Sequence, residues 1–189
     1  MKKFLAALTV FLCGAAALFA AADDEADVRA AIIRDCELAA KGTPLDAAAR
    51  WTSDYREVNP EGAMTCEQAK RALAAMDGKH PVEFMYTLVL VRTGEEPNPD
   101  MAEGIRLAAR DPEFLKQYRI AAKEMADTLK AAAALELETV KFVGIKVDGD
   151  RADAVLTYRH VAGGERRETV SLRRIDGEWR ICRRVIENK

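Results

Sequence analysis

The C-terminal part of the chain is divided by three short, glycine-containing segments, and these restrict the fold more than any other feature. The segments at residues 148–150, 162–164 and 176–177 have the composition of tight hairpin loops. Between them apolar and polar residues alternate, as in strands with one buried face. The pattern predicts four consecutive antiparallel strands over residues 140–147, 151–161, 165–175 and 178–186.

The loop lengths also predict which strand positions face each other. A two-residue loop at 176–177 places Val170 opposite Arg183, and a three-residue loop at 162–164 places Tyr158 opposite Glu168. Both assignments give the same apolar face, formed by Ala152, Ala154, Leu156, Val170, Leu172, Trp179, Ile181 and Val185. The other face is polar and basic, with Arg173, Arg180, Arg184, Thr169, Ser171 and Cys182. A slip of one residue would turn the apolar set outward, so burial should fix this register.

Residues 23–136 follow the helical period instead. Apolar residues at helical spacing predict a first helix over residues 25–40. Thr43, followed by proline and an aspartate at helix position three, is the expected N-cap of a short helix over residues 45–51. Thr65 forms a capping box with Gln68 and opens the next helix.

The middle of the chain allows more than one interpretation. Residues 55–58 look extended and residues 59–62 form a turn. Residues 81–92 fit a helix or a strand, and we favour the helix. Asn98 and Asp111, each followed by proline, begin two further helices. The second carries a seam for packing on another helix, within the chain or in a dimer: Leu115, Tyr118, Ala122, Met125, Leu129 and Ala132.

The N-terminus has the pattern of an export leader. Residues 2 and 3 are lysines, residues 4–19 are almost wholly apolar, and residues 20–22 are small alanines. The apolar run is shorter than the roughly twenty residues that span a bilayer. We predict cleavage after Ala22, which leaves residues 23–189 as one periplasmic or secreted domain.

Charge and cysteine content exclude several classes of protein. Without residues 1–22 the net charge is −4, which argues against a nucleic-acid partner. Three cysteines remain and allow at most one internal disulfide, for which we select Cys36 with Cys66. No Cys/His metal spacing, phosphate loop or dinucleotide fingerprint is present, so we expect neither metal nor cofactor.

The order of three segments resembles a known family. DYREVNPEGAMTCEQAKRAL, VDGDRADAVLTY and LRRIDGEWRI follow one another as in the nuclear transport factor 2-like superfamily, especially its SnoaL-like and related exported branches. The resemblance implies an α+β fold in which N-terminal helices pack on a curved antiparallel sheet shaped as a cone with a pocket. It also implies a helical insertion at about residues 79–138 and a homodimer formed through the outer sheet faces.

A few polar side chains converge on the predicted inner face beside its apolar floor. Tyr158, Glu168 and Arg183 are expected to bind a small, partly apolar ligand, with His160 near the same end. Glu168 and Arg183 could instead form an ion pair at the rim. Trp51 and Tyr55 are further ligand candidates, although aromatic residues at such positions are more often part of a core.

These observations leave two hypotheses for function. The first is an exported, non-catalytic ligand-binding or accessory domain, because the residues contain no evident pair of base and oxyanion donors. The second follows from the resemblance: a SnoaL-like isomerase, cyclase or dehydratase in which Asp54 or Glu168 shuttles a proton. An open apolar cavity with a carboxylate at its floor would favour the enzyme, and a cone filled by side chains from residues 81–136 would disfavour it.

Overall fold

The computed structural model describes residues 23–59 and 62–187, and the helices come first in that part of the chain. Six helices are present there: α1 (residues 23–41), α2 (Pro44–Ala48), α3 (Cys66–Ala75), α4 (Pro81–Thr93), α5 (Pro99–Ala108) and α6 (Pro112–Thr139). Residues 81–92 are helical, as favoured from the sequence. The predicted export leader at residues 1–22 lies outside the described residues.

Side-chain caps fix where the helices begin. The hydroxyl oxygens of Thr43 and Thr65 accept from the third backbone N–H of α2 and α3, and both capping boxes are complete. Asn98 and Asp111 cap α5 and α6 in the same way, with acceptor distances of 2.9 and 2.8 Å. These starting points were all predictable because a cap needs only neighbouring residues.

Six strands form one curved sheet that does not close on itself. They are β1 (Arg56–Asn59), β2 (Gly62–Thr65), β3 (Lys141–Asp148), β4 (Arg151–Arg159), β5 (Glu165–Ile175) and β6 (Glu178–Glu187), in the spatial order β2-β1-β6-β5-β4-β3. The predicted α+β class is confirmed. The sheet is mixed rather than wholly antiparallel, because β1 runs parallel to β6.

One β-bulge changes the predicted register of β6. Leu172 pairs with Ile181, as predicted, but the next pair is Ser171 with Arg183, so Cys182 is an extra residue on β6. Beyond it Val170 faces Arg184, not Arg183. The predicted inward position of Arg183 and outward position of Arg184 are therefore both wrong: Arg184 is buried and Arg183 is exposed.

The loop between β4 and β5 is also longer than predicted. β4 ends at Arg159 and β5 begins at Glu165, so the loop has five residues rather than three and Leu156, not Tyr158, faces Glu168. Because the shift is an even number of positions, every residue of β4 keeps its predicted face. Ala152, Ala154, Leu156 and Tyr158 are buried on the inner side.

Helices cover the inner face of the sheet. Val28 and Ile32 of α1 pack with Leu156, Val170 and Trp179 in the main core. A second, smaller core joins α3, α4 and α6 through Ala75, Phe84, Tyr118 and Ala122, so the predicted seam of α6 packs within the chain. Cys36 and Cys66 are buried free thiols, and the predicted disulfide between them is not formed.

The bulge yields a test by deletion. Removing Cys182 should leave Ser171 opposite Arg183 and Arg184 inside, because only the extra residue is lost. Removing Val170 from the unbulged strand β5 should instead turn Glu168 outward and abolish cooperative unfolding. Urea unfolding of both variants checks this. Equal loss of cooperativity in the two deletions would contradict the bulge assignment.

Candidate functional site

The guanidinium of Arg184 lies in the interior and contacts carboxylates from three different elements. Its Nη1 donates to Glu168 Oε1 on β5 at 2.7 Å, and its Nη2 donates to Asp35 Oδ2 on α1 at 2.7 Å. Glu136, near the end of α6, lies 3.7 Å from Nη1. Arg184 and Glu168 are 9 % and 0 % exposed, so the cluster is shielded from solvent.

Asp35 links this cluster to an aromatic pair. Its second oxygen accepts from the indole Nε1 of Trp51 at 2.9 Å. The Trp51 ring stacks on Tyr55 with centroids 4.0 Å apart. Both carboxylate oxygens of Asp35 therefore accept a hydrogen bond. These bonds replace hydrogen bonds to water that the carboxylate loses on burial.

Glu136 is held between the arginine and a thiol. Cys36 Sγ donates to Glu136 Oε1 at 3.2 Å. Burial, together with the neighbouring Glu168 and Asp35 carboxylates, raises the pKa of Glu136 to about 7 despite the opposing effect of Arg184. Burial and Glu136 also raise the pKa of the Cys36 thiol well above its usual range, so this thiol is not a nucleophile at neutral pH.

Two tyrosines and a further glutamate complete the cluster. Tyr55 donates to Glu57 Oε2 at 3.1 Å, and Glu57 lies opposite Arg184 in the parallel pairing of β1 with β6. Burial raises the pKa of Glu57, while Arg184 opposes that shift. Burial, followed by the carboxylate of Glu168, raises the pKa of Tyr158, so the phenol stays protonated.

The charges of the cluster do not balance if every acid is ionised. Asp35, Glu57, Glu136 and Glu168 surround the single guanidinium of Arg184. Burial alone would lower the pKa of Arg184, but Glu168, Asp35 and Glu136 hold it well above its usual value. Like charges in a buried site favour retention of a proton. The pKa values of Glu57 and Glu136 are both raised, so these two carboxylates are the ones that favour holding that proton.

Open space lies beside the cluster. A cleft of about 430 Å³ opens where the end of α6 meets the ends of β3, β4 and β5. Tyr158 lines this cleft and also belongs to the buried core. Glu138, Lys141, Arg159 and Glu165 are exposed around it.

The structure brings together four of the residues selected from the sequence. Trp51, Tyr55, Tyr158 and Glu168 all belong to the Arg184 cluster. Three others lie elsewhere. Arg183 is exposed on the opposite face, His160 lies in the β4–β5 loop where its Nδ1 accepts from Ala162 N, and Asp54 is exposed in an ion pair with Arg173.

Asp54 lacks the properties expected of a proton shuttle. The hydrogen bonds from Arg173 and Thr52 lower the pKa of Asp54. The side chain is 61 % exposed and points away from the interior cluster. Glu168, the other predicted shuttle, is bonded to Arg184 and wholly buried.

Sequence reasoning missed Asp35, Glu57, Glu136 and Arg184. Two of them carried a usable signal, since a polar residue within an apolar helical stripe needs a partner. Asp35 follows Val28 by seven positions, and Glu136 follows Leu129 by seven. Arg184 had no such signal, because strand alternation without the bulge places it outside.

Comparison with known proteins gives structural matches only. No protein-family model and no curated protein sequence matches the chain. The chain is similar to a solved NTF2-like protein of unknown function from Shewanella baltica OS155, with 8 % identity and a TM-score of 0.45 over 88 % of this chain and 94 % of that one.

Two further structures are similar over comparable lengths. An NTF-2 like protein of unknown function from Silicibacter pomeroyi DSS-3 has 14 % identity and a TM-score of 0.44, with 89 % and 98 % of the two chains covered. One from Pseudomonas putida KT2440 has 12 % identity and a TM-score of 0.45, with 89 % and 88 % covered.

The buried proton of Glu136 should appear in the pH dependence of stability. Between its ordinary pKa of 4.5 and about 7, the folded state holds a proton that the unfolded state has lost. The free energy of unfolding should therefore fall as pH rises through this window, by up to ~3 kcal/mol at ~1.4 kcal/mol per pH unit.

Glu136→Gln should flatten this slope by removing the contribution of Glu136, and Glu138→Gln, an exposed neighbour on the same helix, should keep the wild-type slope. Urea unfolding of the three proteins at several pH values measures the difference. A slope in Glu136→Gln as steep as in the wild type would show that the proton resides elsewhere.

Proposed function

We propose that the chain is an exported, non-catalytic binding domain that takes a small ligand in the cleft beside Tyr158. The observation that supports this is the contrast between the buried, ion-paired side chains around Arg184 and an open cleft beside them. The cleft has a volume of about 430 Å³, within the lower part of the range that is common for small-molecule sites.

The burial and the ion pairs of the Arg184 cluster argue against a catalytic role for its carboxylates. A general base must come within hydrogen-bond distance of the proton that it removes. Glu168 is 0 % exposed and bonded to Arg184, so a substrate would have to displace the arginine first. Glu136 lies on α6, within residues 81–136. Side chains from that segment were expected to disfavour an enzyme if they fill the cone.

The cleft favours a ligand without net charge. Its exposed charged residues are two acids, Glu138 and Glu165, and two bases, Lys141 and Arg159. Tyr158 adds an aromatic surface at the inner end. A small neutral or zwitterionic molecule satisfies this balanced set, whereas a strongly charged molecule would meet repulsion from one pair.

One observation favours the enzymatic alternative, an isomerase, cyclase or dehydratase of the SnoaL-like type. The pKa of Glu136, about 7, suits a group that exchanges protons at neutral pH. We rank this function second because Glu136 is engaged by Cys36 and Arg184.

A matched pair of lysines tests the cleft. Free amino acids and neutral sugars would be titrated into the protein, with backbone amide shifts recorded by NMR. We expect shifts grouped at Val140, Thr157 and Gly164. Lys141→Ala should weaken the binding of a zwitterion by up to about fivefold, the effect of losing one exposed ion pair. Lys146→Ala on the same strand should leave the binding unchanged.

Shifts scattered over the surface, or equal effects of the two lysine variants, would contradict the cleft as the binding site. Export is tested separately by intact mass. Protein recovered from outside the cytoplasm should begin at Asp23, and retention of residues 1–22 would overturn that part of the proposal.

A further inference from the structure

The outer face of the sheet carries a row of three arginines on adjacent strands. Arg151 on β4 pairs with Arg173 on β5, and Arg173 pairs with Arg180 on β6. Directly paired residues project from the same side of a sheet with Cβ atoms about 5 Å apart. Three guanidinium groups therefore share one small area.

The β-bulge adds two more arginines to this surface. It turns Arg183 outward, and Arg183 pairs with Arg56 on β1. We call the surface formed by Arg56, Arg151, Arg173, Arg180 and Arg183 the arginine face.

The chain neutralises only part of the arginine face. Asp54 binds Arg173, and Glu178 lies 3.9 Å from Arg180. Arg56, Arg151 and Arg183 are exposed and form no ion pair within residues 23–59 and 62–187. Like charges placed directly opposite each other destabilise a sheet. The arrangement thus costs folding stability and leaves three guanidinium groups available to a ligand.

Room for an acidic side chain exists beside these groups. A depression of about 420 Å³ lies between Arg151, Arg173, Asp153 and Cys182. Ser171 at its floor donates to Asp153 at 2.6 Å, so the polar atoms here are already ordered. Guanidinium groups bind carboxylates through two parallel hydrogen bonds, which lysine cannot do.

We propose that the arginine face docks an acidic segment of another protein through spaced Asp or Glu carboxylates. Charge complementarity supplies the attraction locally. The acidic groups Asp54 and Asp153 within the patch oppose a uniformly charged polyanion such as nucleic acid or an anionic bilayer. A protein partner can place donors against these acids and carboxylates against the arginines.

The test uses a fluorescent peptide of about eight residues that alternates Glu and Thr, so that its carboxylates project from one side. Its binding to residues 23–189 is measured by anisotropy at physiological salt. Arg151→Ala/Arg183→Ala should weaken the peptide about tenfold. Arg110→Ala/Arg119→Ala, which removes the same charge from exposed positions in the turn after α5 and on α6, should change binding less than twofold.

A peptide with Gln in place of Glu should not bind, which would identify the carboxylates as the recognised group. Three results would overturn the proposal. These are equal weakening in the two double variants, stronger binding of a DNA oligonucleotide or phosphatidylglycerol vesicles than of the acidic peptide, and a homodimer in light scattering that only Arg151→Ala/Arg183→Ala dissociates. Lys141→Ala in the cleft should not affect peptide binding, so this test is independent of the ligand proposal.

Discussion

A buried guanidinium joins the layers of this protein. Arg184 on β6 contacts Asp35 on α1, Glu136 on α6 and Glu168 on β5, so one side chain connects both long helices to the sheet. Burial of these charges carries a large desolvation penalty, which their mutual contacts must offset. The aromatic pair of Trp51 and Tyr55 and the thiol of Cys36 then take positions set by this network. The interior around Arg184 is consequently polar, and a cleft lies beside it at the ends of β3, β4 and β5.

The bulge at Cys182 determines both faces of the sheet. Before it, Trp179 and Ile181 enter the core by ordinary alternation. After it, alternation restarts with the opposite phase, so Arg184 points inward and Arg183 outward. One extra residue thus supplies the cation for the buried cluster and completes the arginine face. The buried cluster and the arginine face both depend on the bulge, because a regular strand would place Arg184 outside and Arg183 inside.

Much of the fold could be predicted from local patterns in the sequence. Capping residues such as Thr43 and Thr65 and the turn at residues 176–177 act within a few positions, so they are visible without tertiary information. Trp51, Tyr55, Tyr158 and Glu168 were also recognised. Arg184 was not, because counting by twos along β6 assumes an unbroken ladder. Asp35 and Glu136 were missed for another reason: their burial makes sense only once a cation from a distant strand is known to meet them. The short strand β2 was missed because its residues lie between a predicted turn at residues 59–62 and the predicted helix cap Thr65.

The fold depends most directly on Arg184 as the counter-charge of buried carboxylates. Urea unfolding of Arg184→Met, alone and combined with Asp35→Asn and Glu168→Gln, measures this. Removing one partner of a buried ion pair typically costs about 3–5 kcal/mol, whereas replacing all partners by neutral groups costs much less. We predict that Arg184→Met is strongly destabilised at pH 8 and that the triple variant recovers a large part of the loss. A single variant within about 1 kcal/mol of wild type, or a triple variant less stable than the single one, would contradict the central role of this cluster.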